Sequence, residues 1–146
     1  MRQTRTTPDR QQISDVLAGS GLRSTPQRYA VMEFLMRSPV HATAEEVFEA
    51  VNRQDPRASR ATIYNNLRSL VEARLVREVV ADSRAARFEA HIEKHHHFIC
   101  DQCGAVEDIA WFDVPARDRR TLGGRTVRDC ELTLRGLCEN CARAQK

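Results

Sequence analysis

Two CxxC pairs, Cys100-Asp101-Gln102-Cys103 and Cys138-Glu139-Asn140-Cys141, are the residues of this 146-residue chain whose spacing says most about chemistry. A CxxC turn brings two thiolates to one point. Two such turns complete the tetrahedral four-thiolate shell that Zn²⁺ favours in closed structural sites. The second pair comes from the far end of the sequence, so a shared ion would staple distant segments together. The gap between the pairs is longer than in a short zinc ribbon. Two disulfides and a spare thiol are the alternative, and they would suit an exported protein. Residues 1–12 are polar and lack the apolar stretch of a secretory signal, so the expectation is a reducing cytoplasm with metal-held thiolates.

Directly before the first pair stands His95-His96-His97. On a strand, His95 and His97 share one face and His96 points to the other. An HxH pair of that kind is a two-toothed metal clamp. Its competing reading is a set of surface or hydrogen-bonded histidines. Glu89 and Asp108 supply oxygen donors nearby in sequence, and His41 is the only histidine in residues 1–90.

These residues need elements to position them, and residues 1–90 read as one short helix, three further helices and a hairpin. A short helix over 12–18 stops at Gly19-Ser20-Gly21, after an Arg/Thr/Gln-rich arm at 1–12. Thr25-Pro26 starts the next helix, with Thr as cap and Pro at the first position; its stripe is Val31, Phe34 and Leu35, and Ser38-Pro39 ends it. Thr43 and Glu46 form a capping box, followed by Val47, Phe48 and Val51 as a buried face. Ser59 caps a further helix to about Ala73, with Ile63, Leu67, Leu70 and Val71 inward and Thr62, Asn65, Arg68 and Ser69 outward. Residues 75–80 and 87–90 read as strands around a polar turn at 81–86. Helices followed by a hairpin predict a winged helix-turn-helix, with the Ser59 helix placed to enter a DNA major groove. A generic bundle with a wet polar face is the plainer reading. The order of the elements and the local arginine excess weigh against it. Residues 1–90 carry 14 Lys/Arg against 11 Asp/Glu, whereas residues 91–146 carry 9 of each. Arg57, Arg60 and Arg68 are candidates for phosphate contact.

From His91 onward a small α/β lobe is expected. Strands are read at 98–100, 106–109 and 132–134, with a short amphipathic helix from Asp113 to near Gly123-Gly124. The fold class is therefore α+β: residues 1–90 a winged helix, residues 91–146 a small α/β lobe stapled by zinc. No run of apolar residues is long enough to span a membrane.

The chain resembles the ferric uptake regulator family over nearly its whole length. The residues that carry the likeness are Gly21 to Arg28, His41 to Glu46, Ser59-Arg60-Ala61-Thr62-Ile63-Tyr64-Asn65-Asn66-Leu67, His95 to Gly104 and Gly136 to Cys141. The stretch from Ala61 to Leu67 is most similar to the peroxide-responsive branch. The resemblance implies that residues 1–90 bind DNA and that residues 91–146 are a dimerisation and metal-sensing domain. It implies a structural zinc in that domain on Cys100, Cys103, Cys138 and Cys141, and a homodimer that binds a palindromic DNA operator. It also implies a regulatory Fe²⁺ or Mn²⁺ site on His41, Glu89, His95, His97 and Asp108, with His41 and His95 as the oxidation-sensitive ligands. Tyr64 falls on the family's base-contacting tyrosine, which joins it to Arg57, Ser59, Arg60, Thr62, Asn65 and Arg68 as the DNA-facing set. Asp108 matches the peroxide branch, whereas Glu89 matches the iron regulators. Cys130 stands where many relatives carry a second-site histidine. It reads either as a buried small residue or as a reactive or ligand thiol.

The implied activity is a metal-dependent repressor that reads hydrogen peroxide through oxidation of a histidine ligand. A metal-level sensor of the same architecture is the alternative. A zinc enzyme would need an open metal position beside a general base; His95, His97 and Glu107 could be recruited for that, yet no HExxH is present. A thiol oxidoreductase would need one CxxC, not two matched pairs.

Overall fold

Each of the first four helices begins at a side chain that caps it, which is why four short helices hold in residues 1–92. Asp9 opens α1 (Arg10–Gly19) through a capping box with Gln12. Thr25 Oγ1 accepts the Arg28 N–H at 3.2 Å ahead of α2 (Pro26–Arg37). After the two-residue strand β1 (Ala42–Thr43), Thr43 and Glu46 close the expected capping box of α3 (Ala44–Gln54). Ser59 Oγ accepts the Thr62 N–H at 3.1 Å and starts α4 (Arg60–Glu72). Such caps each satisfy an orphan helix N–H and contribute about 1 kcal/mol. α4 closes at Ala73, and Arg74 takes a left-handed φ of 59° just past it. These coordinates are a computed structural model that describes residues 8–37, 41–79, 85–90, 93–113, 121–127 and 130–145.

The chain divides into two compact units, Met1–Ile92 and Glu93–Lys146. In the first, Ile13, Leu17, Val31, Leu35, Val47, Ile63, Leu67 and Leu70 are buried together. Burial of each such side chain is worth about 1.5–3 kcal/mol. Two differences from expectation lie on α4. Asn66 is buried, because positions 63, 66, 67 and 70 follow helical spacing to one face, while Val71 only packs partly against the core. On α1 the start moves from Gln12 to Arg10, set by Asp9.

Strands β2 (Arg77–Val79) and β3 (Arg87–Glu89) form the wing, and β1 joins them in the order β1-β3-β2. β1 pairs antiparallel with β3 through Ala42↔Phe88 and Thr43↔Arg87. Continuing that register sets His41 opposite Glu89. The expected end of α2 at Ser38-Pro39 and most of the 81–86 turn lie outside the described residues.

The second unit is built on β4 (His95–Cys100), which begins three residues earlier than expected and takes in all three histidines. β5 (Val106–Ala110) pairs with it antiparallel, with His97↔Asp108. Thr121–Leu122 and Arg125–Thr126 are strands β6 and β7 of a hairpin. Gly123 and Gly124 make its turn at φ 58° and 78°, values open to glycine at no steric cost. The helix expected to end there is thus contradicted at 121–122; its body, residues 114–120, lies outside the described residues. β8 (Thr133–Gly136) runs parallel to β4 on its other edge. α5 (Glu139–Ala144), which was not expected, follows Cys138.

Candidate metal centres and nucleic-acid interface

The four thiols of the CxxC pairs meet within the second unit. Cys100 ends β4 and Cys103 lies in the turn after it. Cys138 precedes α5 and Cys141 stands in its first turn. One ligand atom from each lies within 4.8 Å of every other. The Cys103 and Cys138 sulfurs are 3.8 Å apart, close to the edge of a tetrahedron built on Zn–S bonds of about 2.3 Å. The Cys138 N–H donates to Cys100 Sγ at 3.3 Å. Backbone hydrogen bonds at Cys103 and then Cys138 bring the Cys100 thiol down to about 6. Cys141, hydrogen-bonded first to Cys138, is pushed up to about 12. N–H groups aimed at sulfur favour thiolate, and neighbouring sulfurs then compete to keep the remaining protons. Soft donors, near-tetrahedral spacing and partial burial all fit Zn²⁺.

A second set of donors occurs in each unit. In the first, His41 and Glu89 are 5% and 4% exposed, and His41 Nε2 lies 2.6 Å from Glu89 Oε2. The β1–β3 register causes this proximity, and Arg87 supports it by donating to the His41 carbonyl at 2.9 Å. In the second unit, His95 and His97 project from one face of β4, their ring centres 4.6 Å apart. His95 Nδ1 is 2.7 Å from the Glu93 carbonyl, which only accepts, so Nδ1 carries the proton. In the neutral ring Nε2 of His95 then presents a lone pair, 3.0 Å from His97 Nε2 and 3.5 Å from Asp108 Oδ1. A carbonyl that fixes the tautomer of an imidazole in this way is the usual outer support of a metal-binding histidine.

His96, on the opposite face, has another task. Its Nδ1 accepts the Leu132 N–H at 2.9 Å, so its Nε2–H donates to the Phe112 carbonyl, also at 2.9 Å. It stacks on Trp111 at 4.5 Å and is fully buried. Both nitrogens are spent on holding β4 in place. The alternation of the three histidines separates His96 from the pair, whereas its partners Leu132 and Phe112 are distant in sequence and gave no signal.

On α4, Tyr64 is 56% exposed and Asn65 and Arg68 are exposed; Thr62 is half-buried. Ser59 is engaged as the helix cap. The three arginines each meet a carboxylate: Arg57 with Asp55 at 2.7 Å, Arg60 with Glu45 at 2.5 Å, Arg68 with Glu72 at 3.2 Å. No helix among the described residues is long and apolar enough to cross a membrane.

A family model matches residues 19–135, that of the Ferric uptake regulator family. The chain belongs to this family. Among family proteins, the peroxide-responsive repressor PerR of Staphylococcus saprophyticus is 37% identical over 130 residues, 86% of each chain. The peroxide stress regulator of Campylobacter jejuni has a similar structure, with a TM-score of 0.67 and 25% identity over 90% of this chain and 97% of that one. The ferric uptake regulator of Pseudomonas aeruginosa, solved with manganese, gives a TM-score of 0.68 at 26% identity, over 86% of this chain and 97% of that one. The winged-helix and small α/β architecture is thus the family fold.

Proposed function

We propose that this protein is a metal-dependent transcriptional repressor that senses hydrogen peroxide through iron-catalysed oxidation of a histidine ligand and then releases DNA. The observation that carries the reading is the His95–His97 pair. Its two Nε2 atoms face each other at 3.0 Å beside Asp108, with the His95 lone pair set by the Glu93 carbonyl. The regulatory ligand set is His41 and Glu89 from the first unit with His95, His97 and Asp108 from the second. Three imidazoles and two carboxylates suit Fe²⁺ or Mn²⁺, since oxygen donors temper the preference for softer metals. Cys100, Cys103, Cys138 and Cys141 hold a structural Zn²⁺. Thr62, Tyr64 and Asn65 read bases. Arg57 and Arg68 face phosphates, Arg60 stands with them at the start of the reading helix, and Ser59 orders that start. The working form is a cytoplasmic homodimer on a palindromic operator.

Because the ligands come from both units, occupancy biases the chain toward the arrangement in which two reading helices fit one operator. Metal and DNA then favour the same state, and each raises affinity for the other. Iron held by these residues would supply one-electron reduction of peroxide next to the ligands, which manganese would supply poorly. His41 and His95 are the rings exposed to that oxidant. An imidazole that gains oxygen loses donor strength, and the tie between the units weakens.

The expected result is that the Fe²⁺ form loses operator binding after peroxide while the Mn²⁺ form keeps it. Mass spectrometry then finds an added oxygen on the His41 or His95 peptide. Oxidation confined to cysteines would count against this route. A metal-level sensor is the second reading, favoured by a glutamate rather than an aspartate at position 89. It predicts that peroxide changes neither form.

A further inference from the structure

The three arginines near the reading helix are not held alike. Asp55 lies two residues from Arg57, and Glu72 one helical turn from Arg68. Both pairs are local and exposed, so each guanidinium can exchange its carboxylate for a phosphate without disturbing another element. Arg60 is different. It is the first residue of α4, and its partner is in the first turn of α3, fifteen residues away. The grip is two-pronged, Nε to Oε2 at 3.1 Å and Nη2 to Oε1 at 2.5 Å. The same guanidinium lies over the Phe48 ring of α3, 4.3 Å from its centroid. A planar guanidinium suits both contacts at once.

We infer that Glu45 is a specificity-determining residue of the DNA-reading face: it holds Arg60 against α3, fixing the start of α4 and withholding that cation from phosphate. The inference rests on the repressor reading above. Hydrogen bonding to Arg60 keeps the Glu45 carboxyl below its ordinary value, and the same bond raises Arg60. The pair therefore stays ionised at neutral pH. Moving Arg60 to a phosphate would forfeit two hydrogen bonds and the ring contact together. Phosphate contacts add affinity without sequence information, whereas a fixed α4 places Tyr64 and Asn65 on base edges. Glu45 thus lowers binding to arbitrary DNA and sharpens the reading of the operator.

The test uses the full-length, zinc- and Mn²⁺-loaded protein. One probe is a palindromic duplex that the wild type selects from a random pool; the other is a random-sequence duplex of equal length. Glu45→Gln is expected to tighten binding to the random duplex several-fold. The slope of log affinity against log salt should steepen by roughly 0.9, the value for one added phosphate contact. Its preference for the selected duplex falls. Arg60→Gln should leave the random-duplex slope unchanged but weaken the selected complex, and the double variant should match Arg60→Gln. A thermal melt beside each titration separates these effects from loss of fold, and Glu45→Ala serves if the glutamine variant does not fold. The inference is overturned if Arg60→Gln alone flattens the slope by one phosphate, or if both Glu45 variants leave it unchanged. A wild type that selects no duplex sinks the repressor reading itself, and the inference with it.

Discussion

Replacing Cys138 with serine is expected to strip the structural zinc and unfold residues 93–146. Among the described residues, the buried apolar side chains of this unit are Ile99, Cys100 and Cys138. The first unit has a continuous core running through all four of its helices. A lobe that buries so little cannot offset the conformational entropy of ordering its chain. Zinc fills that gap, since binding to a four-thiolate site contributes about 10–16 kcal/mol near neutral pH. That is as large as the whole stability of a typical domain. Serine at Cys138 also removes the sulfur that lies 3.8 Å from Cys103 Sγ. Metal analysis should find zinc lost, and calorimetry should show the transition of the second unit missing while the first survives. A serine variant with full zinc and an intact melt would refute the assignment of these four thiols.

His97→Ala is expected to leave the zinc in place and abolish the metal-dependent part of operator binding. His97 is 1% exposed and faces His95 at Nε2. The antiparallel register sets it directly opposite Asp108. Alanine removes one imidazole from the proposed shell and leaves His95 and Asp108 with a weaker hold on the ion. Coupling between an effector and a second site is typically worth 5–150-fold in affinity. Adding Mn²⁺ should therefore tighten wild-type binding by a factor of about that size, and tighten the variant's hardly at all. Fluorescence anisotropy with labelled operator, titrated with and without Mn²⁺, reads this directly. The metal-free affinities should agree, because His97 lies outside the winged-helix unit.

Much of this was legible in the sequence where the cause is local. Thr25-Pro26, the Thr43–Glu46 box and Ser59 each announce a helix through chemistry within four residues, and each cap is present. The CxxC pairs fix two thiols apiece, so only their meeting needed the fold. The alternation of His95, His96 and His97 set His96 on the face opposite the other two, as the strand places them. What escaped depends on distant partners or on a turn misread. β1 is two residues long and exists because β3 lies beside it. Gly123-Gly124 served as a helix stop in the sequence, although two glycines between short runs are also a hairpin signal. α5 is only six residues long, and Cys138 offers no side-chain cap to announce it. The bond from Arg60 to Glu45 spans fifteen residues and two helices. No helical spacing rule could have paired them.

The most direct trial of a grip shared by both units is Mn²⁺ binding by His41→Ala, followed through the electron paramagnetic resonance signal of the free ion. His41 is anchored beside Glu89 in the winged-helix unit, whereas His95 and His97 belong to a strand of the second unit. The account predicts that the variant keeps its zinc and fold while its Mn²⁺ affinity falls by roughly 10–100-fold, the scale seen when metal-site support is removed. Unchanged Mn²⁺ affinity would mean that the second unit holds the ion by itself, and would contradict the account.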